Sequence, residues 1–319
     1  MSAAPIGSYG RTPYLYPALV VFLHLESFVP EDAPRLARVA DLVRDWIGES
    51  LRYTRNSRVA RVEPFRAEDL DYMAEYPETL AFEAEGGPSD DAFLAAGLIA
   101  AARRHDFGLA CHAGRHPFDA SPTTFRFWAE VPGFGPAPRL RTRATLKLSV
   151  PVDAPLDDFR ARTTEIASSL RLRWGAAGLG YSGNEVQWYK QSDAAIHAHA
   201  RRHPGYDVGL YVAHGAEFHE WIRTVNWLTF LGPALLARLA APPRPTRLVA
   251  VEAAGDATLL VAGACPEGGD VNRVRWPAAY LEADQIVRPV RAREGVSFYE
   301  AWTEATTGEW LRRFEKRLA

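Results

Sequence analysis

Cysteine is nearly absent from this chain of 319 residues, which contains only Cys111 and Cys265. Two cysteines so far apart in sequence do not make the disulfide framework that stabilises small secreted domains. The sequence leaves open a single disulfide between them but favours a reducing compartment. Stability is then expected from a hydrophobic core, for which the 9 tryptophans, 12 tyrosines and 15 phenylalanines supply ample material.

Long hydrophobic runs are also missing. No apolar run approaches the ~20 residues that span a bilayer. The apolar run near the N-terminus, residues 18–25, is short and lacks the basic region and the cleavage site of a signal peptide. We therefore expect no signal peptide and no membrane partner, and we predict a cytoplasmic protein.

The chain has little net charge, with 37 basic residues, 39 acidic residues and a formal charge of −2. This balance gives no global preference for nucleic acid or for an anionic membrane. The exception is the acidic segment, residues 63–91, which contains ten carboxylates and one base, Arg66. Such a segment is either a solvated surface or a contact for a basic partner, and both interpretations stay open.

Complete catalytic motifs are missing as well. Residues 178–183, GLGYSG, match G-x-G-x-x-G, but the residues before them have a helical pattern and no convincing helix follows. We therefore predict a tight turn or bulge that uses the conformational freedom of glycine. Ser182 is not in a nucleophile elbow, since G-x-S-x-G needs a glycine where Asn184 stands.

Three histidines, His197, His199 and His203, leave one enzymatic alternative. His199 and His203 are four residues apart, so they share a face of a predicted helix. The glutamate of H-E-x-x-H is missing, and zinc would need a further ligand from elsewhere. The cluster is either a solvated helix face, which we favour, or the metal site of a metal-dependent hydrolase. The favoured interpretation assigns no catalytic residue, metal or cofactor.

The order of predicted elements is strand, helix, several strands and helix, which is typical of an α+β fold with a mainly antiparallel sheet and flanking helices. We expect a single domain over residues 1–319, and a two-lobed layout of 1–150 and 151–319 stays open. The sequence predicts strands at 14–25, 107–112 and 123–131, an extended segment at 280–290, and helices at 36–47, 155–171, 192–203 and 298–318.

The highest density of large apolar side chains lies at residues 221–232, WIRTVNWLTFLG. This tryptophan-rich segment is therefore expected in the core. A buried indole needs a partner for its N–H group, and Thr224, Asn226 and Thr229 are the nearest polar candidates. The segment contains no nucleophile and no metal ligand, so we interpret it as scaffold.

The same segment carries a resemblance to a known family. VNWLTFLG is followed by a short helix and by AGACPEGGDVN at residues 262–272, with GLGYSG upstream and PGYDV between. Together these motifs resemble the type VI secretion immunity family, formerly catalogued as a domain of unknown function, over residues 14–290. One departure is Ala240-Ala241, where the family tends to have glycines. The motif residues are Trp221, Asn226, Trp227, Gly232, Pro266, Gly269 and Asp270.

The resemblance implies a cytoplasmic α+β protein without catalysis, which neutralises a cognate effector toxin by steric occlusion. Several relatives are paired with nuclease toxins, so the expected partner is a nuclease encoded by an adjacent gene. The resemblance implies no nucleic-acid partner, and a homodimer stays open.

A nuclease must present a basic surface to phosphate, so an inhibitor of that surface is expected to use carboxylates. We therefore predict toxin contacts within the acidic segment, at Glu68, Asp69, Asp71, Glu75, Glu78, Glu83, Glu85, Asp90 and Asp91.

Overall fold

The structure is a computed structural model that describes residues 4–9, 12–26, 32–56, 61–75, 106–130, 144–183, 190–208, 220–292 and 301–315. In this part of the chain, eleven strands form one sheet, and every pairing between them is antiparallel. The strands are β1 (Gly7–Tyr9), β2 (Thr12–Leu25), β3 (Tyr53–Asn56), β4 (Glu63–Pro64), β5 (Asp106–His112), β6 (Thr124–Glu130), β7 (Ala144–Pro151), β8 (Leu172–Gly183), β9 (Leu228–Leu231), β10 (Val249–Ala254) and β11 (Ala257–Ala262).

Helices flank this sheet, so the predicted α+β class with a mainly antiparallel sheet is confirmed. No helix among the described residues is both long and apolar enough to cross a membrane. The α-helices are α1 (Ala33–Ile47), α2 (Leu156–Ser168), α3 (Lys190–Arg202), α4 (Pro233–Leu236), α5 (Ala278–Val287) and α6 (Glu304–Leu311). Short 3₁₀ helices occupy Gly48–Ser50, Ala67–Glu75, Val271–Arg273 and Arg288–Val290.

Strand β2 is at the centre of the sheet, whose order is β10-β11-β9-β8-β2-β7-β6-β5-β3-β4, with β1 paired to β2 beside this path. Leu19, Val21 and Leu23 of β2 lie in the main hydrophobic core. Because side chains alternate along a strand, Val20 and Phe22 point to the other face. Both faces of β2 are nevertheless buried, which explains why its sequence is a nearly continuous apolar run.

Helix α1 covers the main core with Leu36, Val39 and Val43, all fully buried. Their spacing of three and four residues places them on one face of the helix. The helix predicted at residues 36–47 is confirmed. The same periodicity leaves the opposite face of α1 in solvent, and that face contributes to the site below.

The extended segment predicted at residues 280–290 is wrong, because the chain there forms α5 and a 3₁₀ turn. Tyr280, Ala283, Asp284 and Val287 are the buried positions, and they recur at helical spacing. The buried Asp284 obscured the pattern, because a carboxylate at a core position interrupts the apolar periodicity.

The tight turn or bulge predicted at residues 178–183 is also wrong, because GLGYSG forms the last part of β8 and pairs with β2 in continuous register there. All 12 positions of β8 are buried. Gly178 has φ +150°, and a Cβ atom there would lie 2.2 Å from Oδ1 of Asn226. A glycine therefore lets the tryptophan-rich segment approach the strand closely.

Candidate functional site

The acidic segment is described only up to residue 75, so Glu78, Glu83, Glu85, Asp90 and Asp91 lie outside the described residues. Glu68, Asp69, Asp71 and Glu75 belong to the 3₁₀ helix Ala67–Glu75. Glu68 and Asp71 are exposed. A carboxylate oxygen of Asp69 accepts a hydrogen bond from the backbone N–H of Arg66 at 2.8 Å, so Asp69 stabilises the local turn.

A second set of carboxylates lies beside these residues, because the 3₁₀ helix packs against α1. The exposed face of α1 carries Asp41 and Asp45, and Glu49 follows at the same four-residue spacing in the 3₁₀ helix Gly48–Ser50. Arg44 donates to both Asp41 and Asp71, and so links the two elements. We call Asp41, Asp45, Glu49, Glu68 and Asp71 the acidic surface.

Sequence reasoning missed Asp41, Asp45 and Glu49, although their i, i+4, i+8 spacing was visible. These three carboxylates are separated in sequence from the acidic segment. Only the packing of the 3₁₀ helix Ala67–Glu75 on α1 brings the two sets of carboxylates together. Among the described residues, Asp45, Glu49 and Glu68 form no ion pair, so their charges remain available to a partner.

The tryptophan-rich segment lies largely in the core, as predicted, and Val225, Trp227 and Phe230 are buried. Trp221 is the exception, with an exposed fraction of 38%. The guanidinium of Arg238 lies 3.7 Å from the centre of its ring, so a cation–π contact partly covers the indole at the surface.

The indole N–H of the buried Trp227 does not bind any of the three polar side chains that the sequence suggested. The Trp227 indole N–H donates to the backbone carbonyl of Gly263 at 3.2 Å, and not to Thr224, Asn226 or Thr229. This partner is 36 residues away in sequence, so adjacency in the chain did not point to it.

Asn226 instead organises the backbone around it. Its Oδ1 accepts hydrogen bonds from the Trp227 backbone N–H at 2.8 Å and from the Tyr280 hydroxyl at 3.1 Å. Its Nδ2 donates to the carbonyl of Leu179 at 3.0 Å. Asn226 is buried, so these bonds satisfy its amide group and connect β8 to α5.

The remaining motif residues also have structural contacts. A Cβ atom at Gly232 would lie 1.7 Å from the carbonyl oxygen of Leu172, so only glycine fits against β8 there. Pro266 is half-buried. The Gly269 carbonyl accepts a hydrogen bond from Nδ1 of His203 at 2.7 Å, and Asp270 forms an ion pair with Arg202 at 3.0 Å. These contacts fit the interpretation of the motif as scaffold.

A buried ion pair that sequence reasoning missed joins Arg223 to Asp207, at 2.7 and 2.8 Å. Both side chains are fully buried. Burial lowers the pKa of Arg223, and the neighbouring Asp207 carboxylate opposes that effect. The guanidinium also lies 4.9 Å from the ring centre of Phe22. Asp207 belongs to PGYDV and Arg223 to the tryptophan-rich segment, so the pair connects these two stretches of the chain.

The three histidines pack against aromatic side chains and do not form the solvated helix face that we favoured. His199 shares a hydrogen bond of 2.8 Å with the Tyr181 hydroxyl, and His197 packs edge-on against Trp302 at 4.7 Å. Burial, followed by the charges of His203 and Arg202, lowers the pKa of His199 to about 4.

These contacts do not favour the alternative of a metal-dependent hydrolase. In the described part of the chain, no three histidine, cysteine, aspartate or glutamate side chains come together as a metal site. Both cysteines are free. Burial raises the pKa of Cys111 to about 12, so this thiol is not a thiolate nucleophile at neutral pH.

Comparison with known proteins gives two findings. A family model described as TsiV, type VI immunity for VRR-NUC, matches residues 92–314. Among solved structures, the chain is similar to the Pseudomonas aeruginosa T6SS protein PA0821, with a TM-score of 0.71, 21% sequence identity, and coverage of 95% of this chain and 85% of that one. At this identity, the second likeness shows a shared fold. No curated protein sequence matches.

Proposed function

Because the chain belongs to the TsiV family of type VI immunity proteins, which its match over residues 92–314 establishes, we propose that it neutralises a cognate VRR-NUC toxin by steric occlusion of the nuclease. The family match carries this conclusion, and it confirms the family predicted from the sequence motifs. An immunity family suggests a protein without catalysis. We propose that the two proteins bind in the cytoplasm, where a nuclease meets its substrate. Neither nucleic acid nor membrane takes part in this complex.

The contact that we propose is the acidic surface. A nuclease binds phosphates with basic side chains, and carboxylates complement such a surface. The exposure of Asp45, Glu49 and Glu68 supports this role. Asp45 lies on α1, and the other two lie on the 3₁₀ helices Gly48–Ser50 and Ala67–Glu75, which both contact α1. We propose the same role for the acidic residues between 76 and 91, which continue the acidic segment in the sequence.

The test is a charge reversal with a matched control. Asp69 and Asp71 are unsuitable because they bind Arg66 and Arg44, so we choose Asp45→Lys with Glu68→Lys. Affinity for the metal-free VRR-NUC toxin encoded by the adjacent gene, measured by calorimetry, should fall at least ~10-fold. Wild-type affinity should also fall as salt rises.

The control variant carries Asp157→Lys and Asp256→Lys, two exposed acids on α2 and on the turn after β10. It has the same net charge as the test variant and should keep wild-type affinity. Equal affinities for the test and control variants would remove the acidic surface as the contact but leave the immunity function in place. No binding by the wild type would contradict the proposed function itself.

A further inference from the structure

The loop at residues 271–275, between β11 and α5, has an unusual backbone at an exposed apolar residue. Val274 has φ 53° and ψ 29°, and it is the only non-glycine residue with positive φ in the described ranges. Branching at Cβ makes this conformation unfavourable for valine. Its side chain is 76% exposed, so packing within the protein does not explain the strain. Strained backbone of this kind is concentrated at functional sites, where binding of a partner can compensate for its cost.

Asp270 holds the base of this loop in one geometry. Its backbone N–H donates to the Arg275 carbonyl at 2.8 Å, and the Arg275 N–H donates back at 3.0 Å. The Asp270 carboxylate accepts hydrogen bonds from the Asn272 backbone N–H and from Arg202, both at 3.0 Å. The loop is thus anchored to α3 before any partner arrives, which lowers the entropy cost of binding.

The surface of the loop is basic. Arg273 and Arg275 flank Val274 and are both exposed. The Nε atom of Arg273 lies 3.7 Å from a carboxylate oxygen of Asp270, and the Arg273 side chain remains 71% exposed beside this contact. Within the described residues, Arg275 and the nearby Arg201 form no ion pair. An apolar tip between arginines is complementary to a concave surface that carries carboxylates.

A cavity of about 380 Å³ adjoins the loop. Trp276, the residue that follows the loop, lines it together with Arg201 of α3 and with Thr306, Glu309 and Trp310 of α6. A partner could therefore contact the exposed loop and also place a side chain in the cavity beside it. Side chains that occupy pockets near the centre of an interface commonly contribute most of the binding energy.

We propose that residues 271–275 are a second toxin contact, which enters the catalytic centre of the nuclease. This inference rests on the proposed function. Nucleases of the metal-dependent kind hold their divalent cations with carboxylates, so their basic phosphate-binding surface contains an acidic concavity. Arg273 and Arg275 pair with these carboxylates in place of the metal ions, and Val274 packs against the wall of the centre.

The first test changes only the tip of the loop. Asparagine tolerates positive φ, so Val274→Asn keeps the loop conformation and replaces the apolar side chain by a polar one of similar size. Affinity for the metal-free toxin should fall at least ~10-fold, while the thermal midpoint stays equal or rises. A valine without a binding role would give the same or a higher midpoint with unchanged affinity, and that result would overturn the inference.

The second test reverses the charge of the loop, with Arg273→Glu and Arg275→Glu. Its matched control is Arg244→Glu with Arg247→Glu, two exposed arginines before β10. The loop variant should lose at least ~10-fold in affinity and the control should lose little. If the loop variant binds like its control while the wild type binds tightly, the inference fails and the proposed function stands.

Manganese identifies the target of the loop. Mn²⁺ that occupies the catalytic centre competes with Arg273 and Arg275, so wild-type affinity should fall as Mn²⁺ is added to the metal-free toxin. The variant with Arg273→Glu and Arg275→Glu should not show this fall in affinity, because its side chains do not compete with the cation. Wild-type affinity that does not change with Mn²⁺ would contradict the catalytic carboxylates as the contact. Failure of the wild type to bind the toxin at all would overturn the proposed function and this inference with it.

Discussion

At the scale of single residues, the buried pair of Arg223 and Asp207 has the clearest consequence for stability. The two side chains share two hydrogen bonds and have no exposed surface. Asp207→Ala leaves a guanidinium buried without its carboxylate, which should lower the free energy of unfolding by roughly 3–5 kcal/mol. Urea unfolding monitored by circular dichroism measures the loss.

Glu252→Ala is the matched control for this prediction. It removes the carboxylate of an ion pair with Arg160, whose side chains are 38% and 42% exposed. Solvent screens that pair, so the cost should be about 1 kcal/mol or less. Similar losses for Asp207→Ala and Glu252→Ala would show that burial of the first pair carries no special cost.

The site could be predicted in part from single residues. Composition alone located the acidic segment, since a run of carboxylates with one base is visible in any chain. It did not reveal Asp41 and Asp45, which join the surface through packing, or the exposed Trp221, whose environment depends on Arg238. The positive φ of Val274 was also hidden, because neither composition nor apolar periodicity reports the backbone conformation of a loop valine.

At the scale of elements, long segments with one apolar period were predictable, and segments with buried polar groups were not. β2 and α1 were both found because their buried positions are apolar, with His24 of β2 as the exception. α5 was missed because Asp284 is fully buried there and forms ion pairs with Arg288 and Arg291. The partners that make this burial possible come from tertiary structure, which local periodicity does not contain.

Strand β8 offers a prediction about its glycines. Gly178→Ala places a Cβ atom against Oδ1 of Asn226, in a backbone conformation that alanine rarely adopts. The Asn226 hydrogen bonds to Trp227 and Tyr280 must then shift, so we expect a loss of roughly 1–3 kcal/mol in the free energy of unfolding. Urea unfolding is again the measurement.

Gly48→Ala is the control for that substitution. Gly48 has φ −55° and ψ −42°, and a Cβ atom there would make only an ordinary contact of 3.5 Å with Arg44. Alanine at such a position should be neutral or stabilise by about 0.4–1 kcal/mol. If Gly178→Ala is equally harmless, the close approach of Asn226 to β8 is not what requires glycine.

At the scale of the whole molecule, a net charge of −2 conceals two surfaces of opposite sign. The acidic surface lies on α1, on the 3₁₀ helix Gly48–Ser50 that follows it, and on the 3₁₀ helix Ala67–Glu75, whereas the basic loop connects β11 to α5. A nuclease presents both cations for phosphate and carboxylates for metal. An inhibitor with both signs of charge therefore has a complement for each, which a uniformly acidic protein lacks.

The organisation of the chain as one domain remains a prediction, and the position of β2 gives it a physical basis. A division into 1–150 and 151–319 falls within β7, and β2 pairs with β8 on the other side of that division over Leu15–Leu25. Separating the halves therefore exposes an apolar central strand. We propose that the chain unfolds as one cooperative unit.

Urea unfolding followed by two probes tests this proposal. Tryptophan fluorescence reports on both halves, since Trp128 and Trp174 are buried on opposite sides of the division, and far-ultraviolet circular dichroism reports on the sheet and helices. We expect the two transitions to coincide, because loss of the β2–β8 pairing removes the core contacts of both halves together. Two separated transitions, with one half still folded between them, would show instead that the chain is built from two lobes.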